Sequence, residues 1–158
     1  MQTTSKIYES IIRLLKKNNI IYQLFEHEPV YTSAEAARIR QTKETQGAKA
    51  LLFLADKKPI LLVLPGNKKV DTKTFKKTFN IKDLSFAKPE QVLELTGLEV
   101  GAVPPFGNVM NLPTYIDKSL LNEDEIVFNA GAHTKSIKMK TADFLKLCQP
   151  IIDLFSKD

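Results

Sequence analysis

Ile7, Ile11, Leu14 and Leu15 recur at i, i+4, i+7 and i+8, the spacing that lays one apolar stripe along a helix. Thr3, Thr4 or Ser5 can cap that helix, and Asn18-Asn19 can end it. Ile20 to Phe25 then reads as a short strand. Thr32-Ser33-Ala34-Glu35 fits a capping box and predicts a second helix through about Arg40, before a polar stretch from Gln41 to Gln46 and Gly47. Ala48 to Ala55 and Ile60 to Leu64 are almost continuously apolar. The intervening Asp56-Lys57-Lys58-Pro59 makes them a hairpin of two buried central strands, closed by Pro65-Gly66.

Asp71 can cap a short basic helix, and Leu84 to Ala87 predicts a small strand. Pro89 suits the first turn of a helix ending at Thr96-Gly97. Beyond a Gly/Pro-rich loop, Thr114–Ile116 and Ile126–Phe128 predict strands, and Ser136 to Lys140 alternates Ile137 and Met139 inward against lysines outward. Thr141 can cap a final helix carrying Phe144, Leu145 and Leu147, which Pro150 interrupts before Ile151, Ile152, Leu154 and Phe155. Short strands mixed with short helices, without a repeat or linker, predict one α+β domain over residues 1–158 with a central, largely antiparallel sheet.

Composition narrows the class. With 158 residues, 43% hydrophobic and 26% charged, the chain excludes a disordered tail, a collagen-like repeat and a disulfide scaffold. One cysteine, Cys148, excludes internal disulfides and a cysteine-based zinc site, and suggests a reducing compartment. The N-terminus lacks a basic segment followed by a long apolar stretch, and no apolar run nears the roughly 20 residues of a spanning helix. A soluble cytoplasmic protein, without a membrane partner, is expected.

The net charge of +5 is uneven. From Lys57 to Lys82 eight lysines face one acid, Asp71, so this stretch carries +7 and the remainder −2. Such a run is either a solvated surface or a track for phosphates, since clustered lysines release counterions from a polyanion. With 20 Lys and only 3 Arg, the surface suits point-charge contact better than bidentate base reading.

Several chemistries find no support. His27 and His133 are 106 positions apart with no acid at ligand spacing, so no metal is expected. There is no Gly-x-Ser-x-Gly elbow and no phosphate- or dinucleotide-binding glycine loop, so no cofactor is expected either. Cys148 lies in an apolar helix, where core packing explains it. Three features remain. Lys49 opens the buried run after Gly47-Ala48; it either snorkels to the surface or directs its ammonium into a cleft. Gly101-Ala102-Val103-Pro104-Pro105-Phe106-Gly107 is stiff, either a structural turn or an amide cradle for a carbonyl or ribose. Asn129, at a strand end before Ala130-Gly131, is a turn residue or faces a pocket.

Taken together, Gln46-Gly47-Ala48-Lys49-Ala50-Leu51, Leu84-Ser85-Phe86-Ala87 ahead of a helix ending Leu95-Thr96-Gly97, Gly101 to Phe106, and Phe128-Asn129-Ala130-Gly131 occur in an order that resembles the YbaK/prolyl-tRNA synthetase-associated domain family of aminoacyl-tRNA deacylases. The resemblance runs from about His27 to Phe155. It implies a mixed, barrel-like sheet and a free-standing trans-editing hydrolase that removes an amino acid wrongly esterified to tRNA. Binding alone discriminates near-isosteric amino acids by only about 1–3 kcal/mol per methylene, so a second, hydrolytic sieve restores fidelity.

By the same resemblance Lys49 is the catalytic residue that positions the acceptor end, and Gly101, Ala102, Val103, Pro104 and Pro105 embrace the aminoacyl group and terminal adenosine. Water is the nucleophile, assisted by the ribose 2′-hydroxyl. Asn129 and His27 are expected at the substrate. Lys68, Lys69, Lys73, Lys76 and Lys77 are expected to contact tRNA beside the pocket. Prolyl-type members often carry His where this chain has Asn129, and the cysteinyl branch commonly has an acid near Ser136. The Gln46–Leu51 block and Lys140-Thr141-Ala142-Asp143-Phe144 are closer to the subgroup acting on seryl- and threonyl-tRNA. The alternative is a non-catalytic adaptor binding tRNA or a synthetase on the same fold. An aminoacyl-tRNA synthetase is a possible partner under either reading.

Overall fold

A computed structural model describes residues 5–158. Thr3 and Thr4 lie outside the described residues. Ser5 caps helix α1 (Lys6–Lys17), its hydroxyl accepting from the Tyr8 amide at 3.0 Å. The predicted stripe is the buried face, with Ile11 and Leu15 fully enclosed. The chain leaves α1 through a bond from the Ile20 amide to the Leu15 carbonyl, so strand β1 (Tyr22–Glu26) begins later than the apolar run suggests. The capping box forms at Thr32 and Glu35 and opens α2 (Ser33–Arg40), which closes on Gln41 in the left-handed region.

Strands β2 (Ala48–Ala55) and β3 (Lys58–Pro65) form the expected hairpin. Its turn is only Asp56-Lys57, both at positive φ (48° and 72°), as a two-residue turn matched to strand twist requires. Lys58 and Pro59, expected in the loop, therefore pair with Ala55 and Leu54. The Asp56 carboxylate accepts from the amides of Lys82 and Asp83, fixing the hairpin tip.

The chain continues through β4 (Lys69–Val70), α3 (Thr72–Phe79) capped by Asp71, β5 (Leu84–Phe86) and α4 (Pro89–Thr96). Next come β6 (Thr114–Asp117), β7 (Glu125–Asn129), β8 (Lys135–Lys140) and α5 (Thr141–Cys148). Thr141 does not cap α5; its hydroxyl donates to the Glu123 carbonyl at 2.6 Å. The last apolar residues are not helical. Gln149 turns left-handed, and β9 (Ile151–Asp153) runs parallel to β6, followed by β10 (Ser156–Lys157) paired with β4. Period alone could not separate these outcomes, because the partner strand is remote in sequence.

Two main sheets result. One has the antiparallel order β1-β8-β7; the other has the order β5-β2-β3-β6-β9, antiparallel except for β3-β6 and β6-β9. The centre of the five-stranded sheet is buried on both faces, which explains why Ile60 to Leu64 is an unbroken apolar run. Leu61 and Val63 join a core with α1, Phe106, Phe128 and Phe144. Ile60, Leu62 and Leu64 join a second core with Phe53, Phe75 of α3 and Phe155.

The fold is mixed α+β as expected, but the sheets do not close into a barrel. β5 pairs only with Phe53–Ala55 before Pro89, which has no N–H to donate, turns the chain into α4. The outer edge of β2 near Ala48–Leu51 thus meets β7 through a single bridge, Gly47 to Val127.

Candidate active site

The gap left along that edge is a cavity of about 210 Å³. Its walls come from β2, the end of β7, α2 and residues Val100, Gly101 and Val103. The connection from α2 to β2 is fastened across the seam. Lys43 pairs with Glu123 at 3.0 Å, the Thr45 hydroxyl donates to Glu123, and Gln46 donates to the Glu125 carbonyl. At the end of β3, Gly66 packs so tightly on Ser33 that a Cβ there would lie 2.9 Å from the serine Cβ. This close approach brings the start of α2 against the hairpin.

Lys49 stands on the cavity wall, and its ammonium donates to the Gly66 carbonyl at 3.2 Å. Partial burial pushes its pKa below that of an ordinary lysine; Glu44 opposes the shift and Lys69 adds to it. The ammonium is thus held at the cavity rather than dispersed in solvent, which favours the cleft reading over simple snorkelling.

Gly101 and Val103 of the stiff loop line the same cavity, as does Asn129. Gly101 has φ +91°, a conformation that favours glycine, and a Cβ there would lie 3.2 Å from Nε2 of His133. Ala102, Pro104 and Pro105 are buried and not part of the wall. The Ala102 carbonyl accepts from Gly131, and Pro105 accepts from the Cys148 thiol. They stand directly behind the cavity wall, beside Gly101 and Val103.

Asn129 is no simple turn residue. Its Nδ2 donates to the Gly101 carbonyl at 2.7 Å, and its Oδ1 accepts from Nη2 of Arg40 at 2.6 Å. Arg40 Nε donates to the Ser136 hydroxyl at 2.8 Å, and that hydroxyl meets Nε2 of His27 at 2.7 Å. Nδ1 of His27 lies 2.7 Å from the Glu28 carbonyl. His27 therefore sits outside the cavity wall, one residue behind Arg40, and reaches the site only through Ser136.

Arg40 does not stand out in the sequence, where it is a basic residue in the last turn of a short helix. It is 8% exposed, and burial pushes its guanidinium down to about 10, so it stays cationic at neutral pH. The available signal was scarcity: three arginines among 23 cations mark positions where a planar fork is needed.

The run of eight lysines is not one patch. Lys58 and Lys82 surround Asp56 at the hairpin tip, about 20 Å along β2 from Lys49 at 3.3 Å per residue. Lys69 is close enough to Lys49 to influence its charge, and it pairs across the strands with Lys157. Lys68 pairs with Asp158, and Lys73, Lys76 and Lys77 lie on α3. Side chains alternate across a strand, so Lys49 shares a face of the sheet with Leu51 and Phe53, the face that α3 covers.

Among the described residues no cluster of three or more His, Cys, Asp or Glu is arranged to hold a metal ion, and no helix is long and apolar enough to cross a membrane. Residues 27–147 match the model of the aminoacyl-tRNA editing domain. The chain is 34% identical over 155 residues to the multifunctional Ser/Thr-tRNA deacylase ProXp-y of Escherichia coli K12, covering 95% of this chain and 93% of that protein. It is 29% identical to the prolyl-tRNA editing protein ProX of Acetoanaerobium sticklandii, with 88% of each chain covered. A crystal structure of a proposed trans-editing enzyme for prolyl-tRNA synthetase shares the fold, at a TM-score of 0.84 and 24% identity over 99% of this chain and 100% of that one. The chain belongs to the aminoacyl-tRNA editing domain family.

Proposed function

We propose that this protein is a trans-editing hydrolase that deacylates mischarged aminoacyl-tRNA in the cytoplasm, acting on seryl, threonyl or another small aminoacyl group. The observation that carries the reading is the convergence of Lys49, Gly101 and Asn129 on one cavity of about 210 Å³. That volume is below the range of drug-sized pockets and suits a small aminoacyl group. The name of the Escherichia coli relative supports the choice of amino acid.

The ester enters with its carbonyl toward the Lys49 ammonium and the Gly101 loop. Water adds to the carbonyl carbon, and negative charge develops on the carbonyl oxygen beside a half-buried cation, where screening is weak. The carbon–oxygen bond to the ribose breaks, and the water proton passes to the departing ribose oxygen, with the neighbouring 2′-hydroxyl as a relay. Free amino acid and tRNA leave. Cys148 is no rival nucleophile: burial pushes its thiol up to about 11. Lys68, Lys69 and the α3 lysines receive the acceptor-stem phosphates, and a synthetase is a second partner that would supply tRNA identity.

Lys49→Ala should abolish release of labelled amino acid from mischarged tRNA while the circular dichroism spectrum stays unchanged. Full activity in that variant removes the mechanism, and tight tRNA binding by a wild-type protein that hydrolyses no ester indicates an adaptor.

A further inference from the structure

We propose that Arg40 selects the aminoacyl side chain: the N–H donors at its Nη1 take a hydroxyl oxygen on the substrate β-carbon, so seryl and threonyl esters are held in preference to an alanyl ester. The inference rests on the deacylase reading above and assigns a residue to its specificity.

A guanidinium carries five donors and no acceptor. Nε and Nη2 of Arg40 are taken by Ser136 and Asn129, whereas Nη1 makes no hydrogen bond to any described residue. No carboxylate pairs with Arg40 among the described residues. Yet the side chain is 8% exposed and lines the cavity, with Nη1 4.0 Å from the point a Cβ on Gly47 would occupy. The corner of this fork at Nη1, bordered by a residue without a side chain, is open to the cavity rather than sealed in the core, so it can take an acceptor from a ligand there.

The aminoacyl group itself offers few candidates. Its ammonium is a donor, and a guanidinium repels it. Its ester oxygens belong with Lys49 and the Gly101 loop. A side-chain hydroxyl remains as the acceptor for Nη1; Asn129 Oδ1 is already engaged by Nη2 and by the Ser136 hydroxyl at 3.4 Å and serves to hold the fork. An alanyl ester presents a methyl group to the same corner and leaves a charged donor unmet, the situation in which polar sites reject isosteres strongly. The fork is also rigid in advance. Ser136 is anchored by His27, and Asn129 by the Gly101 carbonyl, so recognition costs little further ordering.

The test compares kcat/KM for seryl-, alanyl- and aspartyl-tRNA in wild type and Arg40→Met. A hydrogen bond from a charged donor predicts a wild-type preference for the seryl over the alanyl ester of roughly 10- to 150-fold. Arg40→Met should bring that ratio to within a few-fold of unity. Equal losses on both esters, no wild-type preference, or preference for the aspartyl ester would each overturn the assignment. Should Arg40→Met fail to fold, wild-type protein is titrated with 3′-amide-linked seryl- and alanyl-adenosine, which are not hydrolysed. Tighter seryl binding by the same factor supports the assignment, and equal affinities reject it. A wild-type protein that cleaves no ester counts against the deacylase reading, while titration of wild type and Arg40→Lys with the two amides still decides the role of Arg40: a seryl preference lost in the variant supports it, and one retained unchanged rejects it.

Discussion

Asp117 is fully buried at the end of β6, where its carboxylate accepts five hydrogen bonds. They come from the amides of Ser119, Phe155 and Ser156 and from the hydroxyls of Ser119 and Ser156. Burial alone would push this carboxyl up; the bonds from Ser119, Phe155 and Ser156 outweigh it and hold the pKa below the ordinary carboxylate value. The unfolded chain therefore protonates first as pH falls. The stabilisation is complete above roughly pH 4 and is lost as the pH drops through the lower folded value. Asp117→Asn should cost about 2 kcal/mol at pH 7, a Tm decrease of roughly 4–8 °C. The gap between variant and wild type should shrink toward pH 3 in thermal unfolding scans. A constant gap would assign the loss to packing instead of charge.

Among the elements, the hairpin turn of β2 and β3 carries a visible strain. Lys57 holds φ 72°, where a side chain crowds its own carbonyl. Lys57→Gly should raise stability by about 0.5–1 kcal/mol, seen as a Tm increase of roughly 1–4 °C with activity unchanged. Legibility from sequence followed the same division between local and remote causes. The capping box of α2, the Asp71 cap of α3 and Pro89 at the start of α4 depend on neighbours within one turn, and each stands where the residues put it. Ile151 to Phe155 depends on Asp117 and on pairing with β6, and so does not declare itself. The site divides likewise. Lys49, Gly101 and Asn129 belong to short motifs, whereas Arg40 is defined by Ser136 and Asn129, contributed by other strands. His27 meets Ser136 across 109 positions of sequence, a contact that no local motif announces.

For the whole molecule, the lysines divide between helix α3 and the tip of the hairpin. Reversing Lys73, Lys76 and Lys77 to Glu should weaken tRNA binding and flatten its salt dependence, each lost phosphate contact removing about 0.7–0.9 from the slope of log K against log salt. Reversing Lys57, Lys58 and Lys82 at the far end of the hairpin should change that slope less. Titrations at several salt concentrations separate the two sets, and equal effects would mean that tRNA lies along the whole sheet.

β5 ends before Pro89, and the cavity lies along the edge of β2 that it leaves uncovered. Had that strand continued beside β2 toward Ala48, its backbone would fill the space that now borders Lys49. Under the proposed function, a ligand in the seam stands in for an absent strand, lodged where peptide groups would otherwise zip together. Any change that lengthened β5 would give a firmer molecule with nowhere for its substrate to go.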